Sequence, residues 1–162
     1  MNTNTLIYLC LTLGISSALV GGVFQAFSDF VMRGLALNEP SVGMQAMQSI
    51  NRTVFNSVFL YILLALAPAS VIFALYIYPI VDGSSQLLIM IAAPIYCLTV
   101  LGVTMAGNVP MNEALNVLNH TDQQAQVYWQ RYVVDWTRLN HVRTFGSIAA
   151  AICYLLAAIS FK

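Results

Sequence analysis

Apolar residues occupy four long blocks of this chain, and the charged residues fall almost wholly between them. The first block runs from Leu6 to Phe27 without a charge. The second lies between Arg52 and Asp82, the third between Gln86 and Glu113, and the fourth from His141 to Phe161 with Arg143 near its start. Crossing a bilayer takes about 20 consecutive, mostly apolar residues, so each block predicts a spanning helix. With their polar flanks the helices are expected over about 6–34, 54–80, 86–118 and 122–161, the last membrane span covering about 141–161.

The breaks between blocks carry their own signals. Pro40 suits the first turn of a short helix capped by Asn38 or Glu39. Val42, Met44, Met47 and Ile50 are loosely periodic there, as expected of a helix lying near the membrane surface. Pro79 to Ser84 reads as a tight turn, making the second and third spans antiparallel neighbours. Asn119-His120-Thr121-Asp122 is a polar turn, and Thr121 with Gln124 has capping-box spacing. The helix that follows carries Trp129, Arg131, Tyr132, Asp135, Trp136 and Arg138 and is expected to run directly into the fourth span. Within the spans, Gly14, Ala18, Gly22 and Ala26 form a stripe of small residues, and Gly102 with Ala106 a second pair, of the kind that lets helices approach closely in lipid. Pro68 predicts a kink, and Pro110 leaves the carbonyl of Ala106 without its helical donor. Asp29 and Arg33, four apart, can pair on one helix face.

Composition agrees with this picture. The chain is 59% hydrophobic and 7% charged, where soluble domains carry about 25% charged residues. The expectation is an all-α, four-helix transmembrane bundle, 1–162 as a single domain, with short interfacial helices on the cytoplasmic side and the lipid bilayer as its solvent. The opening MNTNT has no Lys or Arg, and the apolar run behind it outlasts a signal peptide's core of about 7–15 residues. It is therefore expected to stay as a helix. Zero formal net charge argues against nucleic acid as a partner. Cys10, Cys97 and Cys153 form no C-x-x-C pair and read as buried thiols. With two histidines and neither H-x-x-H nor E-x-x-H, no metal site is expected, nor a haem or tightly held dinucleotide.

Arg33, Arg52, Arg131, Arg138 and Arg143 all fall on one side of this topology, and only Lys162 on the other. The positive-inside rule then puts the two longer polar connections in the cytoplasm and both termini outside. At that inner level the four helix ends bring together Gln25, Asp29 and Arg33; Arg52 and Asn56; Asn108 and Asn112; and Asn140, His141 and Arg143. Two readings fit. The residues line a pocket, or they solvate helix ends and fix topology. His141 is either a hydrogen-bonded structural group or the side chain best suited to accept a proton at neutral pH. Aromatic residues near this end, Phe27 and Trp136 among them, serve as packing or as pocket walls.

Four stretches, GGVFQAFSDFVMRGL (21–35), MQAMQSINRTVFN (44–56), NVPMNEAL (108–115) and YWQRYVVDWTRLNHVRT (128–144), resemble the small bacterial membrane proteins grouped with the fungal anthrone oxygenases. The resemblance implies a four-helix membrane bundle. In the fungal branch it implies oxidation of an anthrone to an anthraquinone by O₂ with no cofactor. Such a reaction needs a base, donors for a developing oxyanion and a dry aromatic pocket. On that expectation His141 is the base and Asp29 orients it. Arg143, Asn108 and Asn112 hold the oxygen atoms, and Trp136 and Phe27 flank the rings. Asn56, Arg33 and Asn140 complete the ligand-binding set. The competing classes are a non-catalytic membrane protein that binds a lipophilic molecule, a lipid or a protein, and a transporter formed by a homo-oligomer.

Overall fold

A computed structural model describes residues 2–161; Lys162, the cation assigned to the far side, lies outside them. Among the described residues there are five helices: α1 (Thr3–Ala36), α2 (Pro40–Val54), α3 (Val58–Ile77), α4 (Ser84–Asn116) and α5 (Gln123–Ser160). All but α2 are long and apolar enough to cross a membrane. The protein is thus the all-helical, four-span bundle its hydrophobic pattern calls for, and α5 passes without a break from the polar segment into the apolar one. Thr3, Tyr76, Asp82, Ser85 and Ser160 come together at one end, here the terminal end; the opposite end, rich in polar side chains, is the polar end.

Local chemistry sets the helix boundaries. The Asn2 side chain accepts from the Thr5 N–H at 2.9 Å and starts α1. Ser57 accepts from the Leu60 N–H at 3.3 Å and starts α3. Gly83 has φ +85° just before α4, a conformation that a side chain would oppose. Two expected caps are absent. Pro40 opens α2, but the Glu39 side chain makes no cap bond. The Thr121–Gln124 box does not form either, because Asn119 takes the loop: its Oδ1 accepts from the Thr121 N–H at 3.3 Å and hydroxyl at 2.9 Å, leaving Asp122 before the helix.

The helix contacts also follow a different stripe from the expected one. Steps of four alone drift about 40° per turn around a helix, so Ala18 and Gly22 end up on the outside of α1. The buried line is Cys10, Gly14, Ser17, Gly21 and Phe24, alternating steps of four and three as in a left-handed crossing. A Cβ on Gly14 would meet Leu155 at 3.0 Å, and one on Gly21 would meet Ser147 at 3.2 Å. On the other side of α5, Gly146 sits against the Thr99 side chain, where no Cβ fits. Gly107, rather than Gly102 or Ala106, brings α4 close to α5, its missing Cβ lying 2.7 Å from Leu139.

Three π-helical turns interrupt the rods: Phe27–Val31 in α1, and Tyr96–Gly102 and Thr104–Asn108 in α4. Such turns insert an extra residue and rotate everything beyond them. The first contains Asp29 and ends two residues before Arg33; both are exposed and form no ion pair with each other. The last ends just before Pro110. Helix α2 does not lie loose at a surface. It buries Met44, Met47, Gln48 and Asn51 against the polar end, and Gln48 Nε2 donates to the Leu115 and Leu118 carbonyls, each at 2.9 Å.

Candidate functional site

Where α2 closes off the bundle, the packing between the two apolar cores is incomplete. A cavity of about 120 Å³ remains, several times what a single water requires. Phe24 and Phe27 of α1, Met47 of α2 and Phe59 and Leu63 of α3 give it apolar walls. Its polar lining comes from Asn51, Thr104, Asn108, Asn112, Asn116, Glu113 and Arg143.

Arg143 dominates this site. It is 5% exposed, and among the described residues no carboxylate pairs with it. Its Nη2 donates to Asn140 Oδ1 at 2.6 Å and its Nη1 to Thr104 Oγ1 at 3.4 Å. The guanidinium lies between two rings, 4.3 Å from the Phe24 centroid and 5.1 Å from that of Trp136, within the range where a ring face attracts a cation. Asn140 is itself fixed, its Nδ2 donating to the Phe24 carbonyl at 2.7 Å and to Ser28 Oγ at 2.6 Å. A positive charge is thus held rigidly in an apolar setting with Nε left unpartnered.

The neighbouring wall is a ladder on α5. Trp129, Tyr132 and Trp136 recur on one helix face and stack, with centroids 5.6 and 6.2 Å apart. Asn112 Oδ1 fixes them by accepting from the Tyr132 hydroxyl at 2.7 Å and from Trp136 Nε1 at 2.9 Å. Asn108 Nδ2 donates to the Trp136 carbonyl at 3.2 Å, leaving its Oδ1 free. Asn51 Nδ2 and Asn116 Oδ1 are also buried without partners. Four orphaned polar atoms, two donors and two acceptors, therefore belong to residues around one cavity. Buried polar groups are nearly always bonded, so this concentration makes the cavity the candidate site among the described residues.

Of the residues singled out in the sequence, Arg143, Asn108, Asn112, Trp136 and Phe27 line this cavity, and Asn140 stands behind it as the anchor of Arg143. The others are not brought there. His141 is one residue round from Asn140, which turns it about 100° onto the exposed face of α5. Asp29 and Arg33 are exposed beside the π turn of α1, and Asn56 is exposed in the α2–α3 break; no hydrogen bond or ion pair joins His141 to Asp29. The expected meeting of imidazole, carboxylate and guanidinium therefore does not form. Asn51, Thr104 and Glu113 went unnoticed as cavity residues. Asn51 and Glu113 lie inside the stretches 44–56 and 108–115, whereas nothing in the sequence distinguishes Thr104 from other threonines in apolar runs.

Such a bundle, with an aromatic-walled cavity beside a buried cation, defines a class: helical proteins of the multi-pass membrane type with an internal cavity. A family model described as anthrone oxygenase matches residues 47–153, a span that contains Asn51, Thr104, the 108–116 segment, Trp136 and Arg143. The chain belongs to the anthrone oxygenase family. The 21–35 stretch lies outside the matched span. No curated protein and no solved structure matches the chain.

Proposed function

We propose that this protein oxidises a lipophilic, anthrone-like aromatic ketone with O₂, using no cofactor, in the cavity around Arg143. The observation that carries this reading is the buried guanidinium without a counter-ion, held against aromatic walls and beside unpartnered amides. A cation in such a place favours a ligand that becomes negative. An anthrone does so when its acidic methylene loses a proton, since the charge moves onto the ketone oxygen. Arg143 would stabilise that oxyanion, with Asn51 Nδ2 as a second donor. Glu113 is the one acidic side chain lining the cavity and would take the proton at its rim. The electron-rich carbanion then reduces O₂, the carbon–oxygen bond forms, and the hydroperoxide is protonated. Loss of the second methylene hydrogen with cleavage of the O–O bond releases water and leaves the new carbonyl. One anthrone and one O₂ thus give one anthraquinone and one water.

The concentration of Arg33, Arg52, Arg131, Arg138 and Arg143 at the polar end supports placing that end in the cytoplasm of a bacterial plasma membrane. The test of the chemistry is O₂ uptake by the protein in lipid nanodiscs given anthrone, with isotopically heavy O₂ traced into the product. The expected result is equimolar uptake and anthraquinone carrying one heavy oxygen, with Glu113→Gln lowering the rate. Tight binding of anthrone with no O₂ uptake above that of empty nanodiscs would instead make the protein a non-catalytic carrier of such molecules.

A further inference from the structure

The walls of the cavity are not equally closed. Helix α2 seals the polar end, with Met47 and Asn51 buried and Gln48 tied to the end of α4. Trp136 and Arg143 seal the α5 side. The start of α3 closes the cavity only in part: Phe59 and Leu60 line it, but no residue from Val58 to Ile62 is buried, and Leu63 is the first that is. The exposed lining residues are Val23, Phe55 and Glu113. Two of them are apolar, and Phe55 is 59% exposed in the break between α2 and α3.

The depth of this opening follows from the helices. From Thr3 to Val23 α1 rises about 30 Å, roughly the thickness of the hydrocarbon layer. Val23 therefore stands where acyl chains meet headgroups. The second span begins at the same level with Val58, and Phe55 just before it takes the place of an interfacial aromatic anchor. An apolar mouth at that level is solvated by lipid, not by water.

Taking only the identity of the substrate from the oxygenase reading, we infer that the cavity is loaded sideways from the bilayer, past Val23, Phe55 and Leu60. Its substrate is then an amphiphilic aromatic ketone or phenol dissolved at the headgroup boundary, not a solute arriving through water. The chain has two tryptophans, so Trp129→Phe leaves Trp136 in the cavity wall as the sole reporter. Quenching of its fluorescence by hydroxyanthraquinone, followed by stopped flow in proteoliposomes, measures entry and exit. Filling the mouth with Val23→Phe plus Leu60→Phe should slow both rates by roughly tenfold while leaving the equilibrium occupancy nearly unchanged. Phe55→Ala, made on an exposed side chain and therefore safe for folding, should speed both. Anthraquinone sulfonate, confined to water, should quench far more slowly than the neutral probe. The inference falls if the mouth variants leave the rates unchanged, if Asn116→Phe at the polar rim slows entry in their place, or if the sulfonate enters as fast as the neutral compound. Because the readout is binding, normal lateral entry without turnover would sink the oxygenase reading alone, and turnover with entry through the polar rim would sink only this one.

Discussion

Replacing Arg143 with Met separates a functional cation from a structural one. The substitution removes two hydrogen bonds to a charged group, at 2.6 and 3.4 Å, each worth about 1.5–3 kcal/mol, with the longer at the low end. It also removes the burial of a charge, a penalty of several kcal/mol, while the Met side chain keeps the contact with Phe24 and Trp136. The two effects oppose each other: relief of an uncompensated buried charge, several kcal/mol, is offset by the lost bonds and by Asn140 Oδ1 left as a buried acceptor at about 1–3 kcal/mol. Thermal unfolding in nanodiscs should therefore move little, or upward. Turnover should behave differently. Loss of a preorganised donor to an oxyanion lowers kcat by about 10²–10³, so anthrone oxidation should fall by that factor while the fold persists. Arg143→Lys keeps the charge but loses the planar fork that spans Asn140 and Thr104, and should fall between. The reasoning is refuted if Arg143→Met keeps anthrone turnover within about threefold of the parent. A collapse of the unfolding temperature would equally refute it, for Arg143 would then be a strut.

Other outcomes can be measured alongside. His141→Gln should leave anthrone turnover unchanged, since the imidazole is exposed outside the cavity; a loss of activity would return it to the mechanism. Asn112→Leu leaves the Tyr132 hydroxyl and Trp136 N–H without their acceptor, at about 1–3 kcal/mol for each buried orphan, and should lower the unfolding temperature and shift the tryptophan emission. Gly146→Val drives a side chain into Thr99 and should cost about 1–3 kcal/mol by overpacking, whereas Gly22→Ala, where the space is open, should be neutral in the same melt. Gln48→Leu, which frees α2 from the Leu115 and Leu118 carbonyls, should expose the α2–α3 segment to limited proteolysis.

The spans were legible because lipid imposes a length and a composition on anything that crosses it, and the blocks bounded by Phe27, Arg52, Asp82 and Glu113 meet both. The polar residues of the site were legible in part for the same reason: an Asn or Arg at the end of an apolar run stands out, so Asn108, Asn112, Asn140 and Arg143 could be found. Their rotation about each helix could not. It depends on π turns, such as Phe27–Val31, which have no local signature and change the facing of every residue beyond them, Arg33 included. His141 failed for a simpler reason, since its neighbour Asn140 holds the inward position. Gln48 carries no sequence signal of its role, because its partners are backbone carbonyls 67 and 70 residues away.

The unbroken α5 has 38 residues and so measures about 57 Å, nearly twice the oily layer it crosses. The same rod carries both a lipid-facing half and the Trp129–Tyr132–Trp136 wall, with Arg143 at the junction. No hinge separates them, so when the rod leans to match a thinner or thicker membrane, the wall leans with it. Any lean of the lipid-facing half is thereby carried undiminished to the aromatic wall beside Arg143.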